Sequence, residues 1–82
     1  MIKLYQFTEC PYCEKVRQKL AQLGLKYEKI EVDYVDKPEI VIKHNQGRVP
    51  VLDDSGEIIV ESSIIVEYLE SKYGKHQSPA NK

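Results

Sequence analysis

The sequence predicts an α/β domain with a four-stranded mixed sheet and helices on its faces, in the order β-α-β-α-β-β-α. Short strand-like segments alternate with helical ones, which is typical of a sheet covered by helices. The first two strands are connected through a helix, which implies a right-handed parallel crossover. The last two strands are separated by a turn sequence, which predicts an antiparallel hairpin.

The first strand and the first helix are predicted from their hydrophobic patterns. Residues 2–7, IKLYQF, suit a strand whose two faces are both at least partly covered. A helix begins at Pro11 and ends before Gly24. Its apolar face carries Val16, Leu20 and Leu23. Residues 26–32, KYEKIEV, are the second strand.

The sequence of the second helix carries conflicting signals. Asp36 offers an N-cap and Pro38 lies in the first turn, so we expect a helix over residues 37–46 that ends at Gly47. The β-branched run IVI at residues 40–42 favours a strand instead.

The second half of the chain predicts a hairpin and a last helix. Residues 49–61 contain VPVL, a turn at DDSG, and EIIV. Residues 62–74 are helical and close at Gly74. The apolar side of this helix carries Ile64, Ile65, Tyr68 and Leu69. We therefore predict one domain over residues 1–74 and a polar, frayed tail at residues 75–82.

Composition indicates an ordinary globular protein. Of 82 residues, 41% are hydrophobic and 30% are charged, unlike a disordered chain. The net charge of −1 gives no electrostatic footprint for nucleic acid or an anionic membrane. The start, MIKLYQF, lacks the apolar segment of a secretory leader, and no apolar run approaches membrane-spanning length. We expect a cytoplasmic monomer with neither nucleic acid nor membrane as a partner.

Both cysteines of the chain lie in the motif CPYC, at the predicted start of the first helix. Unpaired N–H groups and the helix dipole favour a thiolate there, so Cys10 should have a lowered pKa and act as the nucleophile. Cys13 lies one turn later, within disulfide reach, and is the predicted resolving thiol. The ring of Tyr12 is free to line a groove. In a reducing compartment such a pair is redox-active or metal-binding rather than a structural disulfide.

Two other interpretations of these cysteines are weaker. Free cysteines are often buried in a core, but two of them bracketing a proline at a helix start do not suit that role. A closed zinc site needs four ligands. The remaining candidates, His44 and His76, have spacings unlike common zinc motifs and suit a helix surface and the tail. Dithiol redox chemistry without a metal is therefore the leading interpretation.

Three motifs together resemble a known family: CPYC, RVPVL at residues 48–52 and ESS at residues 61–63. They resemble glutaredoxins and, equally, the N-terminal thioredoxin-fold domain of glutathione transferases, over roughly residues 2–74. The segment ESSIIVEYLESKYG is more similar to the transferases, since glutaredoxins usually carry Gly-Gly and an Asp there. The resemblance implies a thioredoxin-like fold, a glutathione site beside the cysteines, and a stand-alone, transferase-like glutaredoxin.

The resemblance also implies roles for residues outside the cysteine motif. The proline matching Pro50 is cis in such folds, which turns the backbone of Val49 toward the active cysteine to pair with glutathione. From the residues alone, a trans proline that begins a strand is preferred. Ser62 resembles an N-cap whose N–H receives the γ-glutamyl carboxylate, and Glu61 holds the γ-glutamyl ammonium. Tyr12 would line the same site.

One departure from the glutaredoxin pattern affects the other end of glutathione. Many glutaredoxins carry Lys or Arg three residues before the first cysteine, where this chain has Phe7. The glycine carboxylate then needs another cation. Lys37, which matches a lysine of some cysteine-type transferases, and Arg48 are the candidates, and either also suits a solvated surface.

The implied activity is that of a glutathione-dependent disulfide oxidoreductase in electron transport and cell redox homeostasis. It would reduce protein disulfides and glutathione mixed disulfides, with glutathione as co-substrate and no tightly bound cofactor. Two alternatives stay open. One is a transferase-type domain that conjugates electrophiles, which normally needs a following helical domain. The other is an iron–sulfur carrier that bridges two chains through Cys10 and glutathione, although such carriers favour CGFS-like motifs.

Overall fold

The structure is a computed structural model and describes residues 1–74. Its elements are β1 (Ile2–Gln6), α1 (Pro11–Gln22), β2 (Tyr27–Glu31), α2 (Glu39–Asn45), β3 (Val51–Asp54), β4 (Glu57–Val60) and α3 (Ser62–Tyr73). The predicted α/β order is thereby confirmed. The predicted tail at residues 75–82 lies outside the described residues. None of the helices within residues 1–74 is both long enough and apolar enough to span a membrane.

The sheet has the order β2-β1-β3-β4, so β1 is one of its two central strands. β1 runs parallel to β2 and antiparallel to β3, and β3 and β4 form the predicted antiparallel hairpin. Ile2, Leu4 and Gln6 are buried on one face of β1, while Lys3 and Tyr5 are partly covered on the other. This confirms the prediction that both faces of the first strand are covered.

Helices cover the two faces of the sheet because strand side chains alternate between those faces. The larger cluster packs α1 and α3 against one face, and its buried residues are Ile2, Leu4, Val16, Leu20, Leu23, Leu52, Ile59, Ile65 and Leu69. The smaller cluster packs α2 against the other face through Val32, Val41 and Val51. The cysteine motif begins α1, so the larger cluster fixes the helix that carries it.

The second helix is confirmed, with a later start than predicted. The run IVI is helical, and Pro38 rather than Asp36 occupies the N-cap position. The predicted cap is wrong because the Asp33 carboxylate folds the preceding loop, accepting hydrogen bonds from the N–H groups of Val35 (2.7 Å) and Asp36 (3.0 Å). The helix ends at Asn45, before two residues of positive φ.

The hairpin turn is tighter than the predicted DDSG turn. Asp53 and Asp54 belong to β3 and are paired with β4, which leaves Ser55 and Gly56 as the two-residue turn. Both have positive φ, 54° and 100°, as the twist of a two-residue hairpin requires. The Asp53 carboxylate accepts a hydrogen bond from the Gly56 N–H at 2.8 Å.

A buried carboxylate ties the end of the hairpin to α3. Asp54 is 5% exposed, and its Oδ2 accepts hydrogen bonds from Tyr68 Oη (2.7 Å), Lys72 Nζ (2.9 Å) and Tyr73 Oη (2.7 Å). Burial raises the pKa of Asp54, but these donors outweigh it and hold that pKa below its usual range. This cluster of four residues, the Asp54 cluster, lies beside Ile2 at the start of β1.

One residue of the last helix does not face the core as predicted. Ile65 and Leu69 are buried four residues apart, whereas Ile64 is 50% exposed. The helical repeat places residues four apart on one face and turns their sequence neighbours away from it. Tyr68 is half-buried and packs against the larger cluster.

Candidate active site

Cys10 is the N-cap residue of α1. Its backbone is extended (φ −83°, ψ 122°), its carbonyl accepts from the Glu14 N–H at 3.0 Å, and Pro11 takes the first helical position. The Cys10 side chain makes no capping hydrogen bond and is half-buried. The first-turn N–H groups lack partners within the helix, so this end favours negative charge on a sulfur or a ligand.

Cys13 lies in a different environment one turn later. Both cysteines are free thiols, and Cys13 is 0% exposed. Burial raises the pKa of the Cys13 thiol to about 12, although the Phe7 backbone and the charge of Arg17 act in the opposite direction. Cys13 is therefore protonated at neutral pH and is the less reactive thiol.

An open cavity of about 430 Å³ lies at the carboxyl-terminal end of α2 and the start of α3. This volume is within the range of about 300–1,000 Å³ that small-molecule sites occupy. Its lining residues are Tyr12, Asn45, Arg48, Val49, Pro50, Glu61, Ser62 and Ser63. Tyr12 is 60% exposed and lies between the two cysteines in sequence. Because it lines the cavity, the cavity extends to the start of α1.

The cavity brings together most, though not all, of the residues singled out from the sequence. Those that line it are Tyr12, Val49, Pro50, Glu61 and Ser62, with the candidate cation Arg48. Cys10, Cys13 and Lys37 are not among its lining residues. The half-buried Cys10 precedes Tyr12 by two positions, at the exposed end of the same helix.

The loop after α2 forms one wall of the cavity. The Val49–Pro50 peptide bond is cis, as expected from the resemblance. Asn45 Nδ2 donates to the carbonyl of Arg48 at 2.8 Å and to that of Pro50 at 3.5 Å, so this side chain holds the loop from within. In the sequence, Asn45 is signalled only by an amide at a helix end just before a Val-Pro motif, and it is not among the predicted site residues.

The two candidate cations lie in different places. Lys37 extends over Gly47, where an added Cβ would lie 3.4 Å from the Lys37 Nζ atom. Gly47 has a φ of 81°, which suits glycine at this close approach. Arg48 lines the cavity, and its Nη2 donates to Gln46 Oε1 at 3.3 Å. Arg48 is therefore the better placed cation for an anionic group in the cavity.

The start of α3 forms the opposite wall. Glu61, rather than Ser62 as predicted, is the N-cap residue, and its carbonyl accepts from the Ile65 N–H at 2.8 Å. Ser62 is already helical because Glu61 turns the chain with a φ of 76°, a costly angle for a residue with a Cβ. Ser63, which is not among the predicted site residues, completes this wall.

These walls suit an extended ligand that carries both signs of charge. The Glu61 carboxylate can bind an ammonium group, and the N–H groups at the start of α3 can bind a carboxylate. The Arg48 guanidinium can bind a second carboxylate. Within residues 1–74, no group of three or more His, Cys, Asp or Glu side chains is arranged to hold a metal ion.

Comparisons with known proteins identify relatives of the chain. A family model described as the glutathione S-transferase N-terminal domain matches residues 4–79. Glutathione S-transferase omega-1 of Sus scrofa is 35% identical over 82 residues, which cover 96% of this chain and 34% of that protein. Maleylacetoacetate isomerase of Pseudomonas aeruginosa is 35% identical over 79 residues, covering 88% of this chain and 37% of that protein. The chain spans about a third of the length of these curated relatives.

Solved structures show the same relationship. A rice glutathione transferase in complex with glutathione superposes with a TM-score of 0.84 and 28% identity, covering 90% of this chain and 34% of that one. Glutathione transferase Omega 3C of Trametes versicolor gives a TM-score of 0.82 and 29% identity, covering 92% of this chain and 34% of that one. These superpositions confirm the expected thioredoxin-like fold.

Proposed function

This chain belongs to the glutathione S-transferase family as an N-terminal domain, and we propose that it transfers glutathionyl groups by thiol–disulfide exchange at Cys10. The observation that carries the proposal is the arrangement of the dithiol. Cys10 is the half-buried N-cap residue of α1, and the buried Cys13 thiol lies one turn later, where Cys10 contributes to raising its pKa. The relatives support glutathione as the substrate, since most of those named are glutathione transferases and one of the similar structures contains glutathione.

Glutathione is proposed to lie in the cavity with its γ-glutamyl end at α3. Glu61 would bind the ammonium group and the Ser62 N–H the adjacent carboxylate. The Val49 backbone would pair, strand-like, with the cysteinyl unit. Arg48 would bind the glycine carboxylate, and the Tyr12 ring would cover the sulfur side. The support for this pose is that all five residues line one cavity.

The proposed reaction takes place in two exchange steps. The Cys10 thiolate attacks the glutathione sulfur of a mixed disulfide, so the Cys10–glutathione bond forms and the substrate sulfur leaves as a thiolate. A second glutathione thiolate then attacks the glutathione sulfur bound to Cys10. This step produces oxidised glutathione and restores the Cys10 thiolate.

Cys13 offers a second way to complete the reaction. It can attack the Cys10 sulfur, release the glutathione thiolate and leave a Cys10–Cys13 disulfide, which two further glutathione molecules reduce. The raised pKa of Cys13 means that its proton must be removed during this attack. We therefore propose that the step from glutathione is the faster one for glutathionylated substrates.

The family relationship favours a second candidate function, the addition of glutathione to an electrophile. The relatives that the chain matches are mainly transferases. In that reaction Cys10 would only donate a hydrogen bond to the glutathione sulfur, and a serine hydroxyl could replace it. The two functions therefore differ in what they require of Cys10.

The test measures two activities of the same chain, the glutathione-coupled reduction of a small glutathionylated disulfide and the conjugation of a chloronitroaromatic electrophile. Under the proposed function, Cys10→Ser loses the reduction by at least about a hundredfold, because the covalent step is absent. Cys13→Ser retains it. Reduction that survives in Cys10→Ser contradicts thiol transfer, and conjugation that survives there supports the second candidate.

A further inference from the structure

The connection between β1 and α1, which leads to Cys10, is held on two sides. From α1, Arg17 donates through Nη2 to the Thr8 carbonyl at 3.1 Å and through Nη1 to the Phe7 carbonyl at 3.4 Å. From the end of β2, the Glu31 carboxylate accepts from Thr8 N–H at 2.9 Å and from Thr8 Oγ1 at 2.7 Å. The backbone of Phe7 and both the backbone and the hydroxyl of Thr8 are thus held by hydrogen bonds to neighbouring elements.

A buried amide joins the two anchors beneath this connection. Gln6, the last residue of β1, is 0% exposed. Its Nε2 donates to Glu31 Oε1 at 2.8 Å, and its Oε1 accepts from Arg17 Nη1. A buried amide left without partners destabilises a fold, and here both of its ends are hydrogen-bonded. One connected network therefore links α1, β1 and β2 at the cysteine end of the sheet.

The network reaches Cys10 through a single shared atom. The Phe7 carbonyl oxygen that accepts from Arg17 also accepts from the backbone N–H of Cys10, at 3.2 Å. Arg17 therefore fixes the acceptor that fixes the Cys10 backbone. Its positive charge also acts on Cys13, whose pKa it lowers against the larger effect of burial.

We propose that Arg17, Gln6 and Glu31 are positioning residues that hold Cys10 in its reactive place at the start of α1. None of the three is among the lining residues of the cavity, so they act through the connection and not on glutathione. The proposal rests on the proposed function, because it takes Cys10 as the reacting residue. It predicts that these side chains control the reactivity of the Cys10 sulfur and leave glutathione affinity nearly unchanged.

The first test replaces Arg17 by Met, which keeps the length of the side chain and removes all of its donors. The matched control, Lys43→Met, removes a positive charge from the exposed surface of α2. Two quantities are measured on the full chain. One is the second-order rate of Cys10 alkylation by iodoacetamide without glutathione, counted by peptide mapping. The other is kcat and KM for the glutathione-coupled reduction.

For Arg17→Met we expect the alkylation rate and kcat to fall about tenfold, because a small displacement of a reacting group has effects of that size or larger. The KM for glutathione should change less than about twofold, and Lys43→Met should match the unmodified chain. If Arg17→Met does not fold, Arg17→Lys serves instead, since it keeps the charge and loses the forked donors. An unchanged alkylation rate in the folded variant overturns the proposal.

The second test asks whether the anchors act as one unit. Glu31→Gln leaves one acceptor oxygen, so its amide NH2 must face either the Thr8 N–H or the Gln6 Nε2 donor, and the variant should lower the alkylation rate severalfold. In the double variant with Arg17→Met, the combined loss should be smaller than the product of the single losses, because both variants break one network. If the two losses of alkylation rate multiply in the double variant, the residues do not act as a single network.

The experiments distinguish a wrong proposed function from a wrong positioning role. If the proposed function is wrong, Cys10→Ser keeps the glutathione-coupled reduction, whatever the result for the Arg17 variants. If only the positioning role is wrong, Cys10→Ser is inactive while Arg17→Met alkylates and turns over like the unmodified chain.

Discussion

Glu61 combines a proposed binding role with an unusual backbone. Its φ of 76° places a residue with a Cβ in a region that glycine prefers, at the wall of the cavity. The cost of such a conformation is about 1–3 kcal/mol, and it persists only where the surroundings impose it. Glu61 therefore allows the binding role and the backbone effect to be measured separately.

We expect Glu61→Ala and Glu61→Gly both to raise the KM for glutathione about tenfold, since each removes a charged hydrogen bond to the ammonium group. The two should differ in stability. Glu61→Gly should be more stable than Glu61→Ala by about 0.5–1 kcal/mol in urea unfolding, because glycine accepts the positive φ. Glu67→Ala, an exposed change on the same helix, is the control. A glutathione KM unaffected by either substitution would place the binding site elsewhere.

The placement of the two cysteines at the start of α1 could be predicted from sequence because it is local. A cysteine at a helix start and a second one turn later need only the helix to define their surroundings. Asn45 could not be found in the same way, because its role depends on a loop that folds back onto it. The choice between Lys37 and Arg48 also needed the packing of Lys37 over Gly47.

Helix α2 and the loop that follows it act together through Asn45. We expect Asn45→Ala to raise the KM for glutathione severalfold and to lower the free energy of unfolding by about 1 kcal/mol, because the carbonyls of Arg48 and Pro50 lose a donor. Asn45→Asp should be worse, since a carboxylate faces those carbonyls. His44→Ala, at the neighbouring exposed position, should change neither quantity. Equal glutathione KM values for all three variants would show that the loop holds its shape unaided.

The boundaries of the elements were less predictable than their order. The order of the elements followed from the hydrophobic periodicity of the sequence, which distinguishes strands from helices. The start of α2 was misplaced because Asp33 folds the loop before it. The start of α3 at Ser62 was predicted correctly, but its N-cap is Glu61 and not Ser62, because Glu61 adopts a backbone conformation that its residue type does not signal.

The stability of the domain should depend on pH through the Asp54 cluster. The folded-state pKa of Asp54 lies below its ordinary value of 3.8, so its contribution is complete above that pH and is lost as the pH falls through the folded-state pKa. Burial and the Asp54 charge raise the pKa values of Tyr68 and Tyr73 above 10.0, so their contribution is lost as the pH rises beyond that value.

We therefore expect Asp54→Asn to lower the free energy of unfolding by about 2 kcal/mol at pH 7, since it removes charge-assisted hydrogen bonds from a buried site. The difference between the two proteins should shrink below pH 3.8 and above pH 10. Urea unfolding at a series of pH values measures it. A difference that stays constant across these pH values would mean that the charge of Asp54 contributes nothing.

The strands separate the Asp54 cluster from the cysteine motif. Asp54 lies beside Ile2 at one end of β1, and the chain leaves the other end of β1 toward Cys10. β4 likewise runs from the hairpin turn to Glu61, a span of about 13 Å for four residues. Substitutions at the two ends should then have additive effects on unfolding, as distant sites do. A designer could thus exchange the chemistry at the cysteine end for another while the opposite end keeps the scaffold folded.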